Sequence, residues 1–485
     1  MNILVPPQNL LSTAHSAFIK SGSSRFKTFY MATLGCKVNQ YESDGIAAEL
    51  VAGGWHRSDN VEDAHVCIIN TCAVTARAAM QSRQQIRSII KANPDAKIIA
   101  AGCHAETAPD EIRTIKNVYT ITGHQEKFKI AQMLLESESQ LDISTKEDKL
   151  LSPFFKPAVT GSKTRAYLKI QDGCDAFCNY CIVPYARGRS RSMPPDDVVE
   201  HLLNLSSKGY KEAILTGIHV GAYGADLENE YSLTELMFQI DRLRPIHRVR
   251  LSSIEPKELT DEIINLACKS AGISRCDLFD SNSGPNSIDR LFGPCLCDHF
   301  HIPLQSGDDI ILRRMGRPYN STLFTNLINK IYNKIPTAAI GVDILEGFPG
   351  ESDHAFENTL NLVEQLPISY LHVFPFSPRR RTPAFDYPDK VDSKVVKKRC
   401  KILRQLGLEK KVAFENRLLE KIGTVGNSFE SVIQNKRDSQ TGKLIAITSN
   451  YLSVLVDGGD NIKRQIVAIE LEARDQNNML IGKII

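Results

Sequence analysis

The sequence predicts an α/β protein: an N-terminal parallel-sheet α/β domain, a partial (β/α)6 barrel and a small C-terminal β-barrel. Two observations support this prediction. Strand-like and helix-like segments alternate over most of the chain, and period-2 strand patterns with Gly-Gly turns replace them after Gly423. Alternation of the first kind is typical of parallel sheets covered by helices, and the second pattern is typical of small barrels. The length of 485 residues allows two to four domains.

The first domain is predicted over residues 27–138, after a flexible extension at 1–26. Its predicted strands and helices alternate in this order: strand 26–34, helix 43–52, strand 66–70, helix 73–92 and strand 97–101. Such βαβ alternation predicts a parallel sheet. The polar residues at 134–163 are typical of a linker.

The barrel is predicted over residues 160–413, because six strand candidates recur between helical segments. These candidates lie at 165–170, 213–216, 248–252, 300–303, 340–345 and 370–376. In barrels built from βα units, chemistry takes place at the C-terminal ends of the strands. A basic helix at 394–420 then leads into the predicted C-terminal barrel at 416–485.

Composition and charge argue against several classes of protein. Hydrophobic residues make up 42% and charged residues 24%, which argues against a disordered chain. We expect a cytoplasmic protein, because no run reaches the roughly 18 apolar residues of a membrane helix and the N-terminus lacks signal-peptide features. The net charge is only +3, so a polyanion would have to bind at local basic patches.

Three cysteines after the first barrel strand give the strongest indication of function. Cys174, Cys178 and Cys181 form C-x3-C-x2-C. Thiolates are the soft ligands that iron–sulfur clusters use, and three of them leave one iron open to a further ligand. A structural zinc site would need a fourth Cys or His at short spacing, and the sequence offers none nearby.

The stretch GCDAFCNYCIVPYARGRSRS at 173–192 resembles the signature of the radical S-adenosylmethionine methylthiotransferase family. The resemblance implies that Cys174, Cys178 and Cys181 bind a [4Fe–4S] cluster, whose open iron binds the amino and carboxylate groups of S-adenosylmethionine. It also implies that Tyr180 packs against the adenine ring. Ordinary core packing explains Tyr180 equally well.

Three further cysteines, Cys36, Cys72 and Cys103, each follow a strand-like run in the first domain. The ends of parallel strands lie at one edge, so these thiols could converge on one cluster, although independent buried cysteines are an equal alternative on this ground. LGCKVNQYES, INTCAV and AGC resemble the N-terminal domain of the same family. The resemblance implies an auxiliary [4Fe–4S] cluster that carries the sulfur, and it makes all six cysteines catalytic.

The family chemistry implied here is radical hydrogen abstraction followed by delivery of a methylthio group to a substrate carbon. GCKVNQYES at 35–43 resembles the branch that converts N6-threonylcarbamoyladenosine, next to the tRNA anticodon, to its 2-methylthio derivative. Three alternatives stay open: isopentenyladenosine of tRNA, an aspartate of a ribosomal protein, or a non-catalytic iron–sulfur protein that binds RNA. The expected partners are tRNA and an electron donor of the reductase or flavodoxin type, with no membrane and no stable protein partner.

Further site residues are expected at the predicted strand ends, where the resemblance implies contacts with S-adenosylmethionine or the adenosine. A polar core residue is an equal alternative for each of them. These residues are Gly217, His219, Glu255, His301 and Asp343.

Two basic patches are expected to contact tRNA phosphates, with a solvated surface as the alternative. They comprise Arg187, Arg189 and Arg191, and Arg379, Arg380 and Arg381. The C-terminal barrel resembles a TRAM domain, which is a small RNA-binding barrel.

The chain departs from the family pattern at two places. A Ser/Asn/Gly/Pro-rich insertion occupies 272–296, and Arg381 stands where the family usually has Gly. We expect the arginine to change the local backbone or to add a phosphate contact.

Overall fold

The computed structural model describes residues 27–136, 154–155, 163–228, 231–270, 295–420 and 428–485. The extension at 1–26, most of the linker and nearly all of the insertion at 272–296 lie outside the described residues, so what was expected of them stays a prediction. Among the described helices, none combines the length and the apolarity that crossing a bilayer requires.

The first domain is a five-stranded parallel sheet in the order β2-β1-β3-β4-β5. Its elements are β1 (Thr28–Thr33), α1 (Lys37–Ala52), β2 (His56–Arg57), β3 (Val66–Thr71), α2 (Ala76–Ala92), β4 (Lys97–Gly102), α3 (Cys103–Thr107), α4 (Pro109–Arg113), β5 (Val118–Thr122) and α5 (Ile130–Glu136). Strand β3 is buried along its whole length, as expected for a strand with helices on both faces.

Helix α1 begins six residues earlier than the sequence pattern predicted. Its first turns carry Asn39, Tyr41 and Glu42, which do not follow an apolar period but are buried nonetheless. The buried polar side chains face partners in the barrel, and this pairing extends the helix toward Cys36.

The second domain is a parallel array of six barrel strands. Its elements are β6 (Ala166–Lys169), β7 (Gln171–Asp172), α6 (Val183–Arg187), β8 (Arg191–Ser192), α7 (Pro195–Ser207), β9 (Glu212–Thr216), α8 (Leu233–Leu243), β10 (Arg248–Leu251), α9 (Asp261–Ser270), β11 (His299–His301), α10 (Asp309–Arg314), α11 (Ser321–Lys334), β12 (Ala339–Glu346), α12 (Asp353–Gln365) and β13 (Tyr370–Pro375). Strands β6, β9 and β10 form one sheet and β11, β12 and β13 another. Parallel bridges at Val249–Leu296 and Ser253–His301 join the two sheets, which confirms the predicted partial barrel.

The third unit is a closed barrel of five strands, preceded by a long helix. Its elements are α13 (Ser393–Leu419), β14 (Ser428–Arg437), β15 (Leu444–Thr448), β16 (Ser453–Val456), β17 (Ile466–Arg474) and β18 (Leu480–Ile484). Short 3-10 turns complete the described chain, at Glu126–Lys129, Val220–Ala222, Pro383–Phe385 and Asp460–Ile462. Phe414 and Leu418 of α13 enter the core of the closed barrel, so the helix anchors it to the rest of the protein.

Buried arginines attach the closed barrel to the (β/α)6 barrel. Glu212 of β9 binds Arg248 at 2.7 Å and Arg250 at 3.0 Å, and these three side chains are almost completely buried. Both guanidinium groups also donate to backbone carbonyls of the closed barrel, among them those of Ile447 and Ser449. Burial would raise the pKa of Glu212, but the arginines hold it far below its usual range, so the carboxylate stays charged.

Replacing Glu212 should therefore destabilise the protein strongly. Glu212→Gln leaves buried guanidinium groups without a counter-charge, which we expect to cost about 3–5 kcal/mol of unfolding free energy. The control is Asp261→Asn, because Asp261 forms an exposed 2.9 Å pair with Lys330 and should contribute less than about 1 kcal/mol. Urea unfolding followed by circular dichroism measures both, and equal midpoints for the two variants would contradict the role assigned to Glu212.

Candidate active site at the domain seam

The first cysteine set lies in a tightly folded loop between β7 and α6. Gly173 begins the loop with φ +75°, and a Cβ there would lie 1.9 Å from the carbonyl oxygen of Arg189, so only glycine fits. The N–H of Cys174 donates to the carbonyl of Gly188 at 3.1 Å, and the N–H of Cys181 donates to that of Cys178 at 2.9 Å. The loop therefore holds the three thiols together.

Two cationic side chains contact these thiols. Arg317 donates from Nη1 to Sγ of Cys178 at 3.2 Å and forms an ion pair with Glu255. His219 Nδ1 lies 3.6 Å from Sγ of Cys174, and its Nε2 lies 2.7 Å from Glu258. Burial would lower the pKa of His219, but the bonds with Cys174 and Glu258 raise it to about 10.

These contacts place two of the predicted residues close to the thiols. His219 contacts Cys174 itself, whereas Glu255 reaches Cys178 only through Arg317. Sequence reasoning missed Arg317, because an arginine in the segment RRMGRPYN carries no pattern that distinguishes it from a surface arginine.

Gly217 leaves space for a neighbouring side chain next to the same loop. A Cβ on Gly217 would lie 2.8 Å from Oε1 of Gln171, so the glycine lets the Gln171 side chain pass. That side chain accepts from the N–H of His219 at 2.8 Å and donates to the carbonyl of Gly173 at 2.8 Å. Gln171, which the sequence did not indicate, thus links the β9 loop to the cysteine loop.

The second cysteine set lies at one edge of the N-terminal sheet. Cys72 and Cys103 directly follow β3 and β4, and Cys36 lies three residues after the end of the neighbouring strand β1. Gly35 has φ +100°, and a Cβ there would lie 2.8 Å from Sγ of Cys72, so this approach also requires glycine. Cys103 packs with Ile182 of the first cysteine loop, which brings the second set against the barrel.

A cavity of about 210 Å3 lies where the first domain meets the barrel, with Cys181 in its wall. Val74, two residues after Cys72, forms one wall. Tyr180 and Cys181 form another, and Asp343 and Phe374 close it from the barrel strands. A substrate in this cavity would be bordered by both domains at once.

The donor sets fit two iron–sulfur clusters. The cysteines that the structure describes are all free thiols, so none of the six is withdrawn into a disulfide. Burial raises the pKa of Cys72 to about 11 and that of Cys181 to about 12, so these sulfurs would be neutral thiols without a metal. Metal ions bind the thiolate, and three soft thiolates per site are suited to iron–sulfur ligation.

An ionised carboxylate organises two histidines beside the cavity. Asp343 Oδ1 accepts from His301 Nε2 at 2.8 Å and lies 3.3 Å from His372 Nδ1. Burial would raise the pKa of Asp343, but these two hydrogen bonds lower it to about 2. The hydroxyl of Tyr370 lies 3.2 Å from His301 Nδ1 and fixes the ring from its other side.

The predicted basic patches differ in their exposure. The prediction that Arg187 contacts tRNA is wrong, because its side chain is only about 2% exposed and binds Glu42 and Asp172. Arg189, two residues on, has a side chain that is 78% exposed. Arg191 is partly buried.

The second patch follows the cavity wall at Ser377. Arg379 is half-buried, whereas Arg380 and Arg381 are exposed. Arg381 has φ +77°, the left-handed region that favours glycine, so the arginine retains the backbone shape that a glycine would adopt.

We expect Arg317 to tune the cluster bound by Cys178. A positive charge that donates to a ligand sulfur stabilises the reduced, more negative cluster, so Arg317→Gln should lower the midpoint potential. A shift of about 60 mV corresponds to one tenfold change in a one-electron equilibrium. Redox titration followed by electron paramagnetic resonance measures it.

The control for this prediction is Arg314→Gln on the same segment, since the Arg314 guanidinium group lies 3.9 Å from Asp389 and over the ring of Tyr387. Equal potentials in the wild type and in Arg317→Gln would contradict the role assigned to Arg317.

Comparison with known proteins agrees with this site. Residues 28–123 match the uncharacterized protein family UPF0004, and residues 168–363 match the Radical SAM superfamily. The threonylcarbamoyladenosine tRNA methylthiotransferase MtaB of Bacillus subtilis is 35% identical over 449 residues, which cover 90% of this chain and 92% of that protein. The tRNA-2-methylthio-N(6)-dimethylallyladenosine synthase of Clostridium tetani is 33% identical over 405 residues, or 81% and 83% of the two chains.

Among solved structures, the radical S-adenosylmethionine methyltransferase TsrM from Kitasatospora setae has a TM-score of 0.50 to this chain. The identity is 15% over 74% of each chain, so this likeness concerns the fold alone. The extent and identity of the sequence matches show that the chain belongs to the radical S-adenosylmethionine methylthiotransferase family.

Proposed function

We propose that this enzyme converts N6-threonylcarbamoyladenosine next to the tRNA anticodon to its 2-methylthio derivative. The observation that carries the proposal is the cavity bounded by Cys181 and by Val74, because a substrate there would contact the first cysteine set and lie against the segment that follows Cys72 of the second. Similarity to relatives named for threonylcarbamoyladenosine supports this choice of substrate.

The cysteines would bind the cofactors as two separate groups. We assign Cys174, Cys178 and Cys181 to a [4Fe–4S] cluster that binds S-adenosylmethionine, and the remaining triad to an auxiliary [4Fe–4S] cluster. When bound, the clusters supply one electron to S-adenosylmethionine and the sulfur to be transferred. The auxiliary triad consists of Cys36, Cys72 and Cys103.

Other residues of the chain would orient the substrate and exclude water. Tyr180 lines the cavity and packs edge-on against Phe348, so its ring is held rigidly where a planar base can stack. Phe374 makes the opposite wall apolar, which disfavours water near reactive species. Asp343 lines the cavity and is held in place by His301 at 2.8 Å, so its carboxylate can accept a hydrogen bond from a polar edge of the adenosine.

The exposed arginines would bind the tRNA backbone. Arg380 and Arg381 follow the cavity wall at Ser377, and Arg189 follows the first cysteine loop. Phosphate contacts from such residues would hold the anticodon arm over the cavity without reading its sequence. The closed C-terminal barrel, as a TRAM-like domain, would add to this surface. We further propose that the enzyme is cytoplasmic and receives electrons from a donor of the reductase or flavodoxin type.

Nucleoside analysis tests the substrate. In a strain lacking this protein, mass spectrometry of digested tRNA should show loss of 2-methylthio-threonylcarbamoyladenosine and accumulation of its precursor. The wild-type gene should restore it, and a Cys181→Ala variant should not, because the radical cluster loses a ligand. Loss of the methylthio isopentenyl nucleoside instead would show that the proposed substrate is wrong.

Arg381→Gly tests the tRNA surface. The substitution restores a residue that tolerates the left-handed backbone, so the fold should be kept while one phosphate contact is lost. We expect weaker tRNA binding and a slope of log affinity against log salt reduced by about one.

Filter binding at several salt concentrations measures this effect. Arg242→Gln on α8 serves as the control, because α8 does not line the cavity. An unchanged slope for Arg381→Gly would exclude a phosphate contact.

A further inference from the structure

Six ionisable side chains meet at the seam between the first domain and the barrel, and each is at most about 2% exposed. We call this group the seam network. Three come from the first domain and three from the barrel: Glu42, His124, Lys127, Lys169, Asp172 and Arg187.

Each carboxylate of the seam network lies within ion-pair distance of several basic side chains of the same network. Glu42 lies 2.5 Å from Lys127, 2.9 Å from Lys169 and 2.9 Å from Arg187. Asp172 lies 3.0 Å from Lys169, 2.8 Å from Arg187 and 3.2 Å from His124. Both domains therefore contribute charges to one buried set of ion pairs.

The charges of the seam network do not balance. Burial and the neighbouring Lys127 lower the pKa of His124 to about 3, so its imidazole is neutral. Burial lowers the pKa of Lys127 as well, but its ion pair with Glu42 opposes that shift. Three cations then face two carboxylates, and the partly exposed Arg191, 3.9 Å from Asp172, only adds positive charge. An unpaired buried charge is strongly unfavourable.

Glu106 contacts the seam network only at the backbone N–H of His124, at 2.9 Å, so we look for the missing negative charge at the auxiliary cysteines. Arg187 is the last residue of α6, and Ile182 and Ala186 at that helix pack against Cys103. Arg187 donates from Nη2 to Oδ1 of Asn39 at 2.6 Å, and Nδ2 of Asn39 donates to the carbonyl of Thr71, the residue before Cys72, at 3.1 Å. The auxiliary cysteines thus lie within the electrostatic reach of the guanidinium group.

We propose that the auxiliary cluster is the counter-ion of the seam network, and that Arg187 couples cluster binding to docking of the first domain on the barrel. Three thiolates on a doubly positive iron–sulfur core leave one net negative charge, which matches the one excess cation. The inference rests on the proposed assignment of Cys36, Cys72 and Cys103 to a cluster. By linkage, docking strengthens cluster binding by the same factor by which the cluster strengthens docking.

From the charges of the seam network we predict an unusual behaviour of the Arg187→Met variant. Without Arg187, Lys127 and Lys169 balance the two carboxylates, and Asp172 still accepts from the N–H of Gly173 at 2.9 Å. The cluster-free protein should then keep its fold, while the auxiliary cluster loses its counter-charge. A purely structural arginine would destabilise the protein with or without the cluster.

The test uses the full chain, purified anaerobically. Wild type should hold about eight irons, Arg187→Met should approach about four, and Arg187→Lys should recover most of the loss because it keeps the charge. Spectra of the reduced protein should show that the cluster at Cys174, Cys178 and Cys181 is retained. Chelator-induced iron release from the auxiliary site should be roughly tenfold faster in Arg187→Met.

The matched control is Arg113→Met, since Arg113 is exposed and pairs with Asp110 of its own helix α4. This variant should match the wild type in iron content and in the rate of chelator-induced iron release. Thermal unfolding of the chelated proteins supplies a readout independent of iron, and we expect Arg187→Met to unfold no earlier than wild type.

Two outcomes would overturn the proposal. The first is full iron with wild-type release in Arg187→Met, and the second is earlier unfolding together with loss of both clusters. Only about four irons in the wild type would instead refute the two-cluster assignment of the proposed function.

Discussion

The relative position of the two cysteine sets depends on ion pairs buried between Glu42 of the first domain and Lys169 and Arg187 of the barrel. Desolvated charges are tolerated only when every one of them is paired at short range, so the interface cannot slide without a large penalty. Apolar packing alone tolerates small shifts more readily. A substrate that has to reach both cysteine sets needs a fixed separation between them, and charged pairing imposes it.

Buried ion pairs also attach the closed barrel to the (β/α)6 barrel. Glu212 lies between Arg248 and Arg250, whose guanidinium groups reach the backbone carbonyls of the closed barrel. Barrel strands carry charges of both interfaces, with Lys169 on β6 at the first and Glu212 on β9 at the second. A buried arginine needs several hydrogen-bond acceptors at fixed angles. Each interface therefore sets the relative orientation of its two domains as well as their contact area.

The fold and the cysteine positions could be predicted because both depend on local sequence patterns. Short apolar runs define β1, β3 and β4, and Cys36, Cys72 and Cys103 each follow one of them within three residues. The rule that parallel strands end at one edge then brings the thiols together without knowledge of tertiary contacts. The barrel strands followed from the same alternation of patterns, and the bridges between β10 and β11 complete their order.

The ionic partners could not be predicted, because they lie far apart in the sequence. Arg187 is 145 residues from Glu42, and the local pattern RGRSR does not distinguish it from the exposed Arg189. Arg317 is likewise 139 residues from Cys178. A charged side chain becomes buried only when folding brings it an opposite charge, and periodicity contains no information about that partner.

The barrel interior explains why charged pairing is used at these interfaces. A closed eight-stranded barrel fills its centre with apolar side chains, whereas this six-stranded array must leave room for a substrate and a cofactor. Its inner positions therefore carry polar groups such as Asp343 and His301, which cannot form a hydrophobic core with neighbouring domains. Ion pairs between the barrel and the neighbouring domains fix the orientation of these domains, as a shared hydrophobic core would otherwise do. They leave the cavity open.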